Sequence, residues 1–90
     1  MNWNEVRIVK IINKEIIINK DINGRQAANF VHKVTSKAYN IWFITKDKQV
    51  NAKSILGLLS ADIRKGDRLT IEIDCEEPLE LDDIEKAIND

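Results

Sequence analysis

Residues 68–74, RLTIEID, set Leu69, Ile71 and Ile73 against Thr70, Glu72 and Asp74 in unbroken alternation. Successive side chains of a strand point to opposite faces, so this segment demands a sheet with one face covered and the other wet. Ninety residues supply one hydrophobic core, so the cover must come from the same small domain. Three stretches can provide it. Between Asn23 and about Lys37, the residues Ala27, Phe30, Val31 and Val34 share one side of a helix, with Asn23 as N-cap and Gln26 three positions on in an approximate capping box. Ser54 is a natural N-cap for a short helix to about Ile63, and Gly66 closes the connection into residues 68–74. After Pro78, the residues Leu81, Ile84 and Ile88 recur at helical spacing behind acidic residues that suit the positive end of a helix.

The remaining strands follow from β-branched runs and alternation. Residues 15–19 read as one strand, 40–46 as a second and 49–52 as a third, the last two joined by a turn at Asp47-Lys48. The order is β-α-β-β-α-β-α, and the packing consistent with it is α+β: a small antiparallel sheet with three helices on one face. With Ile41 and Phe43 turned to the helices, Trp42, Ile44 and Ile17 face the other way as a candidate apolar patch. Residues 1–13 stand apart. Apolar side chains in WNEVRIVKII would fall all round a helix, so an N-terminal extension in strand form is expected, hairpinned through Asn13-Lys14 onto a domain of residues 14–90.

Composition narrows the functions. At 43% hydrophobic and 32% charged this is an ordinary soluble sequence, and its apolar runs are strand-sized, too short to span a bilayer. It shows no export signal, and its single cysteine, Cys75, fits a reduced thiol, so the cytoplasm is the expected compartment. One histidine and one cysteine do not make a metal site, and no cofactor motif is present, so neither metal nor cofactor is expected. A formal charge of −1 with scattered lysines and arginines gives no footing for direct nucleic-acid binding. The segment DINGRQAANFV does resemble an anion doorway: Asn23 caps a helix, Gly24 allows close approach, and Arg25 can pair with an oxyanion. His32 cannot serve it, because it falls on the solvent side of the helix and about 13 Å further along.

Two segments together resemble the HPr family of phosphocarriers of the bacterial sugar phosphotransferase system. INGRQAANFV stands in place of the family's G-[IL]-H-A-R-P-A, and VNAKSILGLLS, residues 50–60, is close to its V-N-x-K-S-I-M-G-[VL]-[ML]-S. The interval from Asn23 to Ser54 equals the family's interval from active histidine to regulatory serine. The resemblance covers about residues 14–88 and implies the HPr-like open-faced β-sandwich. It puts Asn23 at the histidine and Gln26 at the following proline. A carboxamide nitrogen is delocalised into its carbonyl and lacks imidazole's basicity, so histidine phosphotransfer is not expected and no residue is assigned as catalytic.

The better-kept motif implies a different role. In family members of low-GC Gram-positive bacteria the serine matching Ser54 is phosphorylated by an HPr kinase, and the product binds a catabolite-control transcription factor; the paralogue Crh also lacks the histidine and keeps the serine. The reading is a non-catalytic, HPr-like regulatory protein of the carbon-catabolite type, acting by protein binding and controlled by Ser54 phosphorylation, with Arg25, Lys53, Ser54, Ile55 and Leu56 as the partner surface. The alternative is a structural or oligomerisation module that has lost both phosphorylation roles, and a homodimer is compatible with either.

Overall fold

A computed structural model describes residues 10–90. Its elements are β1 (Ile12–Ile17), α1 (Gly24–Val34), β2 (Ile41–Ile44), β3 (Gln49–Asn51), α2 (Ile55–Ser60), β4 (Arg68–Ile73) and α3 (Pro78–Asn89), in the order expected. The strands make one antiparallel sheet, β1-β4-β2-β3. Leu69, Ile71 and Ile73 of β4 are buried, as are Ile41 and Phe43 of β2 and Ile16 of β1. All turn to the side where the helices lie, with α3 over β1 and β4 and α2 against β3. From α1, Phe30 meets Phe43 with ring centroids 5.3 Å apart at 44°. That is the tilted geometry aromatic pairs favour, and each fully buried side chain of this size contributes about 1.5–3 kcal/mol. The fold is the expected α+β arrangement, an antiparallel sheet with its helices on one face, the open-faced sandwich that the resemblance implies.

Several boundaries move, each for a local reason. β1 begins at Ile12 and pairs Asn13 with Glu72 and Lys14 with Ile71, so the turn expected at Asn13-Lys14 does not form. The remainder of the expected extension, residues 1–9, lies outside the described residues. β1 stops at Ile17 because the backbone of Ile18 bonds instead to Asp67 O and Gly66 N, at 2.9 and 2.7 Å. β2 starts after Asn40, whose N–H and carboxamide both donate to Asp74, at 2.6 and 2.8 Å. α1 stops at Val34, where the Lys37 N–H closes a tighter turn onto Val34 O. α2 stops at Ser60 rather than Ile63, since Asp62 takes a left-handed φ of 49° that no helix continues. The capping box is also absent: Gln26 Oε1 has no hydrogen-bond partner.

The open face is less apolar than expected. Across the sheet, Trp42 stands in a row with Glu72, Asn13 and Asn51, while Ile44 stands in a row with Thr70, Glu15 and Gln49. Ile17 is exposed but pairs with Arg68, whose guanidinium lies 3.7 Å from Glu15. Polar side chains on β4 therefore separate Ile17 from Trp42 and Ile44, and the three do not form one patch.

Charges fasten α3 to the rest. Lys14 sits on the helix side of β1 but reaches out to Asp82 and Glu85, at 2.9 and 2.7 Å, and these bonds, that to Glu85 first, hold its ammonium pKa above the ordinary value. Asn89 clamps the far end, donating to Ile17 O at 3.0 Å and accepting from Asn19 N at 2.9 Å. At the near end Lys37 donates to both oxygens of Glu80, at 3.0 and 3.1 Å, and Tyr39 Oη donates to the same carboxylate at 3.1 Å. The bond from Lys37 holds the Glu80 carboxyl below the usual carboxylate range, and burial, then the bond to Glu80, pushes the Tyr39 hydroxyl up.

A depressed folded pKa means that Glu80 contributes stability in full above its unfolded pKa of about 4.3 and loses it as pH falls through the lower folded value. Glu80→Gln is expected to lower stability at neutral pH and to flatten the acid limb of a urea-denaturation series. An unchanged acid limb would place that sensitivity elsewhere.

Candidate functional site

The start of α1 is positioned by the loop between α2 and β4, which is hydrogen-bonded to the chain before it. Between β1 and α1, Ile18 is pinned by Gly66 and Asp67, Ile22 N donates to Ile63 O at 2.9 Å, and Asp21 Oδ1 accepts from Lys65 N at 2.9 Å. The bracing loop turns at Gly66, whose φ of 91° is a conformation glycine adopts freely. It is stiffened by the bond from Arg64 N to Asp67 Oδ2. Its effect is to present Asn23 at a fixed place and angle.

Asn23 is the N-cap of α1, with extended backbone (φ −89°, ψ −174°). Its Oδ1 accepts from Arg25 N at 3.0 Å and Gln26 N at 3.2 Å. Two of the N–H groups that an anion would take are thus already engaged by the carboxamide. Gly24 is exposed and a side chain there would meet nothing within 4 Å. Arg25 is exposed and forms no ion pair among the described residues. His32 is exposed too, far round the helix.

The second group is at α2. Ser54 is its N-cap, and Oγ accepts from Gly57 N at 3.0 Å. The turn before it is set by Asn51, whose side chain accepts from Lys53 N at 2.9 Å. Leu58 faces the core while Ile55 and Leu59 are exposed and Leu56 is 80% exposed, so the wide apolar sweep of this helix divides into one buried residue and an open ridge. Lys53 is not turned to Ser54: its ammonium donates to Lys37 O beyond the end of α1. Gly57 has a packing reason. A Cβ there would come within 2.9 Å of Asn51 O and 3.3 Å of Ser54 Cβ.

These contacts also fix how the two groups relate. Lys53, before α2, reaches the chain beyond the C-terminus of α1, and Ile63, after α2, bonds to Ile22 just before the N-terminus of α1. The two helices run antiparallel, so Asn23, Gly24 and Arg25 lie toward one end of the pair and Ser54 toward the other. The ridge of Ile55, Leu56 and Leu59 lies on α2 between them. Among the described residues no group of three or more His, Cys, Asp or Glu is placed to hold a metal, and no helix is long and apolar enough to cross a membrane.

Comparison with known proteins decides the lineage. A family profile for the PTS HPr component phosphorylation site matches residues 10–90. The chain belongs to the HPr family. Solved HPr structures agree with this. The phosphocarrier protein HPr of Bacillus anthracis str. Ames is 27% identical over 88% of this chain and 93% of its own, with a TM-score of 0.70. A mycoplasma histidine-containing phosphocarrier protein is 26% identical over 86% of each chain, at 0.68. HPr-C-His of Thermoanaerobacter tengcongensis is 29% identical over 88% of this chain and 85% of its own, at 0.58. No curated protein matches the chain.

Within this HPr-family fold the sequence located both helix caps, whereas the engagement of Lys53 and the brace at residues 63–67 lie outside what the sequence pattern discloses. The only local clue to the brace was Gly66. Gly57→Ala is expected to destabilise the fold by about 1–3 kcal/mol, because the new methyl group presses on backbone that cannot swing aside. Thermal or urea denaturation reads this directly, and an undiminished midpoint would mean that α2 is free to lift from β3.

Proposed function

We propose that this HPr-family protein is a non-catalytic regulator that acts in the cytoplasm by binding a protein partner, with phosphorylation of Ser54 as its control. The observation that carries the proposal is the arrangement at α2, where a capping serine stands beside an uncovered apolar ridge, Ile55, Leu56 and Leu59. Such a ridge favours a protein partner, and charge placed at its end decides whether that partner stays. A phosphoryl group on Ser54 meets the positive end of the helix, and the Gly57 N–H that now donates to Oγ is at hand to donate to one of its oxygens. Lys53 joins only by leaving Lys37 O. The family's HPr kinase and catabolite-control transcription factor are the partners proposed.

At position 23, where the resemblance places the family histidine, asparagine offers no nucleophile, so phosphotransfer forms no part of this function. What supports a residual anion site is Arg25, without an ion-pair partner among the described residues, beside the exposed Gly24 at a helix start. It is weak, because an anion must displace the Asn23 oxygen from two N–H groups.

Incubation with an HPr kinase and ATP is expected to phosphorylate the wild type on Ser54 and to leave Ser54→Ala unmodified. Absence of phosphate on Ser54 would remove the switch. Separately, a titration with inorganic phosphate should move the amide resonances of Gly24 and Arg25, with larger occupancy in Asn23→Ala, where the N–H groups are freed. Flat resonances in both proteins would sink the anion site.

A further inference from the structure

Asn23 is the only asparagine of the chain followed by glycine. That pairing has a chemistry of its own, because a glycine nitrogen has no neighbouring side chain to hinder its approach to the preceding carboxamide carbon. Here the pair is exposed, and the space that a Gly24 side chain would fill is empty, which opens the peptide to water. Gly24 N, the first of the helix, has no hydrogen-bond acceptor among the described residues, so its proton is accessible to base. The electrophile is prepared as well. Oδ1 accepts two backbone N–H bonds, from Arg25 and Gln26, the arrangement that stabilises negative charge developing on a carbonyl oxygen under attack.

We infer that Asn23 is a site of spontaneous deamidation, converting the cap of α1 from a neutral carboxamide to a carboxylate. Base removes the Gly24 N–H proton, the nitrogen forms a bond to Asn23 Cγ, and the Cγ–Nδ2 bond breaks, with Nδ2 leaving as ammonia. The five-membered imide is opened by water. Opening at Cγ gives aspartate; opening at the former backbone carbonyl gives isoaspartate, with one more methylene in the main chain. Water is the only co-reactant consumed.

The two products differ structurally. Aspartate keeps the cap and adds negative charge at the positive end of α1, which favours the helix. Isoaspartate shifts the chain and withdraws the acceptor from Arg25 N and Gln26 N. Either adds one negative charge beside Arg25 to a chain of formal charge −1, so the modified protein rejects inorganic anions at this place. That last consequence rests on the anion reading above, whereas the modification does not.

The test is timed incubation of the full-length protein in mildly alkaline buffer, followed by charge separation and peptide mass mapping. An acidic species is expected to accumulate with its amide-to-acid change in the peptide holding Asn23, faster as pH rises. Gly24→Ala, which fits the open space without strain, should slow it by an order of magnitude or more, and Asn23→Gln should abolish it. Retention of Asn23 in the folded protein under conditions where the urea-unfolded chain deamidates would overturn the inference, since the cap would then be protecting rather than exposing the pair. Equal rates in wild type and Gly24→Ala would overturn it too. Phosphate titration of the acidic species is a separate reading: unaltered binding there would count against the anion site and not against the modification.

Discussion

The register of β4 holds the rest of this molecule in place. It pairs with β1 on one side and β2 on the other, and it carries Leu69, Ile71 and Ile73 to the helices with Thr70 and Glu72 to solvent. A slip of one residue would exchange these sets, turning three buried side chains out and two polar ones into the core. Such a state is excluded by the apolar area lost. The same register fixes where β4 begins, at Arg68, and hence where the preceding loop stands. That loop pins Ile18 and Ile22 and so delivers Asn23 to the head of α1. A sheet constraint thereby sets the position of a residue that lies in no strand.

The alternation and the helical spacing were legible because burial imposes them: a buried face must be apolar at the period of its backbone. Ile16 and Ile18 inside with Ile17 outside is the same rule, although the unbroken run of isoleucines hides it until β1 is paired. Lys14 shows its limit. It lies on the helix side because its long stem crosses apolar surface and its head finds Asp82 and Glu85 at the rim, a solution that depends on α3 being there. The ends of elements were less legible for a related reason. Asn40, Asp62 and Ile18 each leave their ladder or helix for a partner distant in sequence or for a local conformation that no periodicity announces.

The site divides in the same way. Both caps were readable, since Ser54 and Asn23 act within three residues of themselves. The capping box at Gln26 was not, because an acceptor at that position need not turn back to the cap. Gly57 reads in sequence as a helix weakness and in space as the point where α2 approaches the carbonyl of Asn51. Its placement keeps Ser54 close to β3 and leaves Leu56 outward, so close packing on one side of α2 and exposure on the other have one cause.

Asn23 is suited to a helix start that supplies its own cap. The carboxamide oxygen bends back and accepts from Arg25 N and Gln26 N itself, so two of the first N–H groups of α1 find their acceptor within the chain. Arg25 stays exposed beside it, with no ion-pair partner among the described residues. A carboxamide lacks imidazole's basicity and carries an acceptor for the helix N–H groups, so the chemistry and the capping at position 23 both follow from one side chain.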